Sequence, residues 1–238
     1  LGWVATYHDS DLVAAAKHFQ RALALEPTNF TVLGNSTVLL RALGRPEKLI
    51  AISKYLVRRD PANPIAYDSL GQHYAIEGRF DEAVTAFTNA VLLAPDMLGA
   101  HYNRGSALLF NGEAQSALED FLQDTDEEYR IKGSAMALYT LGRHAEYEAA
   151  LTELKERWGE QWPSEVAQVY AWVGDHDSAF QWLEKGYEQT GSREWADIAS
   201  DYLLAILHDD PRWIPFLEKI GKSPAQLATI EFDVLVPH

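Results

Sequence analysis

The chain has 238 residues and a formal net charge of −15, because 35 Asp and Glu outnumber 20 Lys and Arg. This much negative charge repels phosphate backbones, so nucleic acid is not an expected partner. The chain has no Cys, which excludes disulfides, thiolate catalysis and Cys-ligated zinc or iron–sulfur sites. No apolar run approaches the roughly 18 residues that a membrane-spanning helix needs.

The first stretch, "LGWVATYHDSDL", is typical of the end of one helix and the start of another. We therefore expect the chain to be a fragment of a longer protein. A missing leader or membrane anchor then says little about the parent protein. We expect a cytoplasmic protein, or a periplasmic one if the parent chain has an upstream anchor.

Proline and glycine recur along the chain with one fixed period of 34 residues. The prolines with this spacing are Pro27, Pro61 and Pro95, and the glycines are Gly44, Gly78 and Gly112. Two residue types that share a period of this length indicate stacked copies of one supersecondary unit.

Each copy has the pattern of a helical hairpin. In residues 67–95, a first helix (helix A) ends at Gly78, since glycine suits the left-handed conformation of a C-cap. A second helix (helix B) ends before Pro95, because a residue that precedes proline avoids the helical region. Small side chains at Gly71 and Ala83 predict the place where the two helix axes cross closely.

The pattern resembles the tetratricopeptide repeat, W-x2-L-G-x2-Y…A-x3-F…A…P. The matching residues in the best copy are Tyr67 in place of the Trp, Leu70, Gly71, Tyr74, Ala83, Phe87, Ala90 and Pro95. The resemblance covers about residues 11–190 and implies an all-α, right-handed superhelical solenoid of antiparallel helix hairpins. It further implies that helix A of each hairpin lines a concave surface that binds protein.

The later hairpins depart from the strict period. The turn glycines become Gly142 and Gly174, at intervals of 30 and 32 residues. Tyr147 is bulky for a position at a helix crossing, so the sequence leaves the register of the 128–158 hairpin open. We expect about five hairpins within residues 1–190, the first of them incomplete.

Residues 191–238 differ from the repeats, and we expect them to form a helical C-terminal cap. Their last stretch, "TIEFDVLVPH", alternates apolar and polar residues, which is typical of extended chain. A free segment of this composition would be prone to aggregate. We therefore expect it to dock near Trp213 and Phe216, or on a neighbouring copy in a swapped dimer.

The sequence offers little for chemistry. Acids and histidines cluster at residues 7–11, 174–177 and 208–210, but each stretch lies at a predicted turn or helix start, where Asp is a favoured cap. The acidic run at 124–130 lacks the alternating ligands and central glycine of a calcium loop. We expect no catalytic, metal-binding or cofactor-binding residues, and no enzymatic activity.

The resemblance instead predicts a binding surface on the helix A faces. Its predicted residues are Asn35, Asp68, Gln72, Tyr102, Asn103, Ser106, Phe110, Tyr139, Gln168 and Trp172, with Thr31 and Lys132 beside them. Members that grip chaperone carboxylates use Lys and Asn where this chain has Asp68 and Gln72. Since Asp68 would repel a carboxylate, acidic C-terminal tails are not expected ligands.

The order of the later repeats resembles the C-terminal region of bacterial multidomain regulators, where it follows a winged-helix or nucleotide cyclase domain. The predicted function is therefore that of a protein- or peptide-binding scaffold, the non-catalytic part of such a regulator. The alternative is a self-association module that drives homo-oligomerisation, as in a homodimer.

Overall fold

The computed structural model describes residues 1–7, 11–191 and 195–236. The chain forms two compact units. Leu1–Pro61 and Gln189–His238 together make one, here called the terminal unit, and Ala62–Glu188 make the other, called the central unit. The division into residues 1–190 and 191–238 stays a prediction.

The central unit is a run of helices joined by short turns. Helix α5 packs on α6, α7 on α8, and α9 on α10. The bounds are α5 Pro64–Ile76, α6 Phe80–Leu93, α7 Ala100–Phe110, α8 Ala114–Phe121, α9 Glu127–Thr140, α10 His144–Trp158, α11 Pro163–Trp172 and α12 His176–Thr190. The predicted all-α fold of antiparallel helix hairpins is confirmed.

Glycines with positive φ make the hairpin turns. Gly78, Gly112, Gly142 and Gly174 have φ values of 70°, 83°, 72° and 81°, and Gly44 has 61° in the terminal unit. These values lie in the left-handed region that side chains with a Cβ avoid. The predicted role of the periodic glycines is confirmed.

Glycine also marks the close helix crossings. A Cβ added at Gly105 of α7 would lie 2.7 Å from the ring of Phe121 on α8. A Cβ added at Gly133 of α9 would lie even closer to the same ring. Phe121 is fully buried, so one aromatic ring fills the space that two glycines leave on neighbouring helices.

The α9–α10 hairpin settles the register that the sequence left open. Its turn is at Gly142, and five residues later the buried Tyr147 takes the position that Ala83 has after Gly78. The ring of Tyr147 packs edge-on against that of Tyr139, with centroids 5.2 Å apart. Tyr147 is therefore buried against Tyr139 of the facing helix, at the position that an alanine has in α6.

The terminal unit combines both ends of the described chain. Its α1 packs on α2 and α3, and α3 also contacts the 3-10 turn Ile198–Ser200. The remaining elements are α1 Gly2–Tyr7, α2 Leu12–Leu25, α3 Phe30–Ala42, the 3-10 turn Pro46–Lys48, α4 Leu49–Arg59, the 3-10 segment Tyr202–Leu207, α13 Trp213–Lys219 and α14 Pro224–Leu227.

Buried aromatic rings and an ion pair hold the C-terminal part of this unit. Trp195 is buried and meets Phe216 edge-on, with ring centroids 5.9 Å apart. Arg41 of α3 forms an ion pair with Asp197. These contacts tie residues 195–216 to each other and to the N-terminal helices of the same unit.

The tail, here residues 229–236, is docked against residues from the N-terminal part of the same unit. Its Phe232 is buried and packs against Phe19 of α2, with ring centroids 6.2 Å apart. Trp213 and Phe216, near which the sequence predicts that the tail docks, pack on each other, and docking near them stays a prediction. Proximity along the chain favours those two residues, whereas the fold brings α2 to the tail from the other end of the chain.

Acids at the candidate metal stretches cap helices. Asp11 accepts a hydrogen bond from the Ala14 amide at 2.8 Å, and Asp175 accepts one from the Ser178 amide at 3.0 Å. Asp126 does the same for Glu128 at the start of α9. Residues 8–10 lie outside the described part of the chain. Among the described residues, no group of three or more His, Asp or Glu side chains is placed to hold a metal ion.

Candidate protein-binding site

Helices α5, α7, α9 and α11 form one layer of the central unit. Helix α5 contacts α7, α7 contacts α9, and α9 contacts α11. These are the first helices of their hairpins, as the resemblance predicts for the binding surface. The predicted site residues lie on this layer except Asn35, with Thr31 beside it, and these two are exposed on α3 of the terminal unit.

The predicted residues differ in how far they reach the surface. Tyr102, Ser106 and Gln168 are buried, as is Lys132 beside them. The half-buried members are Asp68, Gln72, Asn103, Phe110, Tyr139 and Trp172. The layer therefore has a buried polar interior and a surface of half-buried polar and aromatic side chains.

A polar bridge joins α5 to α7. The Asp68 carboxylate accepts hydrogen bonds from the side-chain amides of Gln72 and Asn103, both at 2.8 Å. Three predicted residues from two hairpins thus form one network. Its side chains are half-buried, so the network is held in place and still reaches the surface.

A buried lysine joins α9 to α11. Lys132 forms an ion pair with Glu165 and donates a hydrogen bond to Gln168 Oε1 at 3.0 Å. Its ammonium also lies 4.4 Å from the ring centroid of Tyr102 and 5.4 Å from that of Tyr129. We call these five residues the lysine cluster.

Burial alone would lower the pKa of Lys132, but the Glu165 carboxylate and the Tyr102 phenol outweigh it and hold the pKa well above its usual value. The lysine is therefore charged. A buried charge needs a close partner of opposite sign, and Glu165 supplies it. The lysine cluster therefore connects neighbouring hairpins through the ion pair between Lys132 and Glu165.

Tyr102 lies inside this layer rather than on it. Its ring stacks on that of Tyr129, with centroids 4.9 Å apart, and its backbone amide donates to Asp124 at 2.9 Å. Burial raises the pKa of Tyr102 to about 12. The Tyr102 and Ser106 hydroxyls are both buried, and neither makes a hydrogen bond of normal geometry.

Glu128 has a perturbed acidity next to the lysine cluster. Burial, reinforced by the negative charge of Glu165, raises the pKa of Glu128 to about 7. Lys132 opposes this rise, and Asp126 adds to it. Its protonation therefore changes near neutral pH.

Aromatic side chains meet at the turn end of the layer. The rings of Phe80 and Phe110 stack with centroids 4.4 Å apart, and Phe110 meets Trp172 edge-on at 5.0 Å. The Trp172 indole donates to Thr140 Oγ1 at 2.9 Å. Phe80, Phe110 and Trp172, here called the aromatic cluster, are all half-buried. Three hairpins therefore contribute to one fixed apolar surface.

Sequence reasoning missed several members of these groups. Glu165 and Tyr129 in the lysine cluster, and Phe80 in the aromatic cluster, were not predicted. A signal existed for Glu165, since it lies three residues before Gln168 and so on the same face of α11. Phe80 belongs to the second helix of its hairpin, and only the three-dimensional structure brings it to the layer.

The fold and this layer define a class, the helical repeat proteins built from antiparallel helix hairpins. The sequence profile of the tetratricopeptide repeat matches residues 65–97. This match identifies residues 65–97 as a tetratricopeptide repeat, and proteins built from such repeats are generally non-catalytic scaffolds for protein–protein interaction.

Solved tetratricopeptide repeat proteins share the fold. TTC0263, a thermophilic protein from Thermus thermophilus, is 21% identical with a TM-score of 0.60, over 75% of this chain and 95% of that one. A protein from Parabacteroides merdae is 17% identical with a TM-score of 0.57, over 96% of this chain and 95% of that one. At these identities the likeness concerns the fold. Among the described helices, none is long and apolar enough to cross a membrane.

Proposed function

We propose that the central unit binds a segment of another protein across the α5, α7, α9 and α11 layer, with the aromatic cluster as its anchor. The protein would act as the non-catalytic part of a larger bacterial regulator, in the cytoplasm, or in the periplasm if that regulator is anchored in the membrane. The single observation that carries the proposal is the half-buried contact between Phe110 and Trp172.

Aromatic residues supply much of the binding energy in protein interfaces, particularly when they are already held in place. Phe110 is held by Phe80, and Trp172 is oriented by its hydrogen bond to Thr140. A partner therefore meets a preformed apolar surface that costs little to order. The polar bridge at Asp68, on α5 and α7, supplies hydrogen-bonding groups on the same layer as the aromatic cluster.

The net charge of the protein restricts the charge of the expected partner. The net charge of −15 favours encounter with basic or neutral segments over acidic ones. The Lys132 charge does not alter this, because Glu165 already neutralises it. A neutral or basic segment with an apolar side chain for the aromatic cluster is the expected ligand.

The test is selection of binding peptides from a random library on the full chain, followed by calorimetry with the peptides obtained. Trp172→Ala and Phe110→Ala should each weaken binding by roughly 2 kcal/mol or more, as hot-spot truncations do. Trp162→Ala is the matched control, since Trp162 is exposed at the opposite end of α11, about 15 Å away along the helix. Equal loss in all three variants, or loss only in the control, would refute the proposed site.

Self-association is the second candidate, and an apolar surface on the terminal unit favours it. Trp3 and Val4 of α1 and Val13 of α2 are exposed. Trp3 also lines a cavity of about 480 Å³ together with Leu25 and Asn35. Light scattering over a concentration series tests this candidate: a dimer that Trp3→Glu dissociates supports it, and a monomer at all concentrations rejects it.

A further inference from the structure

The tail is bound in the way that a peptide ligand is bound. Its side chains alternate between buried and exposed: Phe232 is 6% exposed and Val234 1%, whereas Leu235 is 81% exposed. Glu231 and Asp233, on either side of Phe232 in the sequence, are exposed as well. This alternation is that of an extended segment with one face on a surface.

Side chains from α2 and from the turn that follows α3 hold the backbone of this segment. Arg45 donates hydrogen bonds to the carbonyl oxygens of Phe232 at 2.8 Å and Ile230 at 2.5 Å, and a longer one to that of Leu227 at 3.3 Å. Gln20 Nε2 donates to the Glu231 carbonyl at 3.1 Å. Carbonyl recognition of this kind does not depend on the side chains of the bound segment.

Two features add a preference for particular side chains. The ring of Phe232 lies against that of Phe19. Lys48 forms an ion pair with Asp233 and donates to the Val234 carbonyl at 3.0 Å. The groups that hold the tail therefore combine an aromatic contact with a basic one.

We infer that Phe19, Gln20, Arg45 and Lys48 form a peptide-binding groove that the tail occupies in cis, and that the groove accepts a Phe-acidic-Val segment of another protein when the tail leaves. We call these four residues the tail groove. The site is separate from the aromatic cluster, so it goes beyond the proposed function and stands or falls independently of it.

The resident tail is a competitor of any such partner. A tethered segment acts at an effective concentration on the order of millimolar. A partner in solution therefore binds the intact protein weakly, and weakening the tail makes the groove available. The tail thus sets the concentration that a partner in solution needs in order to bind the groove.

The first test uses a fluorescein-labelled peptide of residues 226–236 and fluorescence anisotropy. A full-length chain with Phe232→Ala and Val234→Ala should bind the peptide at least about tenfold more tightly than the wild-type chain, because its own tail competes less. A peptide with alanine in place of the phenylalanine should not bind. Equal binding to both chains, binding of both peptides, or no binding to the folded variant would overturn the inference.

The second test keeps the tail intact and so does not depend on the folding of that variant. The chain has no Cys, so Leu235→Cys at an exposed position carries a single environment-sensitive dye. Unlabelled peptide at about 1 mM, comparable with the tail's effective concentration, should displace the tail and change the dye signal, and the alanine peptide should not. A signal that the peptide leaves unchanged contradicts exchange at this groove.

Discussion

Gly71 of α5 faces the ring of Phe87 on α6 so closely that a Cβ at Gly71 would lie 2.6 Å from the ring carbons. Phe87 is fully buried, so the ring has no free space into which to move. The absence of a side chain at Gly71 is therefore a packing requirement of the hairpin.

Gly71→Ala should destabilise the protein by about 1–3 kcal/mol, as overpacking of a core does, and Gly71→Leu by more. Gly34→Ala is the matched control, because Gly34 is also inside a helix but a Cβ there meets only Leu56 at 3.6 Å. That change should be neutral or stabilising by about 0.4–1 kcal/mol. Urea unfolding measures both, and equal effects would contradict the close crossing.

The lysine cluster predicts an asymmetry between its two charges. The Lys132 side chain is 3% exposed and that of Glu165 is 20% exposed. Glu165→Gln leaves a buried ammonium without its partner and should cost about 3–5 kcal/mol. Lys132→Met should cost less, since methionine suits the apolar space beside the two stacked tyrosine rings and Glu165 can reach water.

Urea unfolding of the two variants in parallel tests this order. A larger loss for Lys132→Met would mean that Lys132 stabilises the hairpins through contacts that methionine cannot replace, and not through its charge pairing.

Glu128 predicts a pH dependence. Its pKa is raised from 4.5 to about 7 in the folded protein, so the folded state binds this proton more tightly than the unfolded state. The stabilisation is complete below about pH 4.5 and is lost as the pH rises through about 7. Between about pH 5 and pH 8, wild type should therefore lose stability relative to Glu128→Gln, which has no proton to release there. The melting temperatures of both proteins, measured as a function of pH, test this. If the two curves are parallel, the pKa of Glu128 is not raised.

The tail predicts a contrast between two apolar residues three positions apart. Phe232→Ala should destabilise the terminal unit by about 3–5 kcal/mol, the usual cost of removing a buried phenylalanine. Leu235→Ala should have little effect, since that side chain is exposed. Deleting residues 229–238 should lower stability at least as much as Phe232→Ala. Full stability of the deleted form, measured by thermal unfolding, would mean that the tail adds nothing to the fold.

The hairpins were predictable because their determinants are local. Gly78 and Gly112 end a helix through their own backbone conformation, and the 34-residue period places each turn. The position of Tyr147 could not be predicted in this way, because it depends on contact with Tyr139 of the facing helix. A side chain that is too large by sequence pattern is accepted when its neighbour is arranged to meet it.

The site was less predictable than the fold. The helix A layer follows from the repeat pattern, but burial within that layer depends on neighbouring hairpins. Tyr102 stacks on Tyr129 of the next hairpin, a contact that no single repeat encodes. The contact between Arg45 and the tail was not predicted for the same reason, since Arg45 and Phe232 are 187 residues apart.

The terminal unit has a consequence for how the protein is made. Leu1–Pro61 emerge from the ribosome before the central unit, but the partners of Phe19, Arg41 and Arg45 are synthesised only after the central unit. Domains generally fold as units during synthesis, so the continuous central unit can fold while the ribosome is still translating. Until those partners are synthesised, the helices of Leu1–Pro61 keep part of their apolar surface uncovered. Chaperones that act on nascent chains are therefore expected to engage Leu1–Pro61 longer than the central unit.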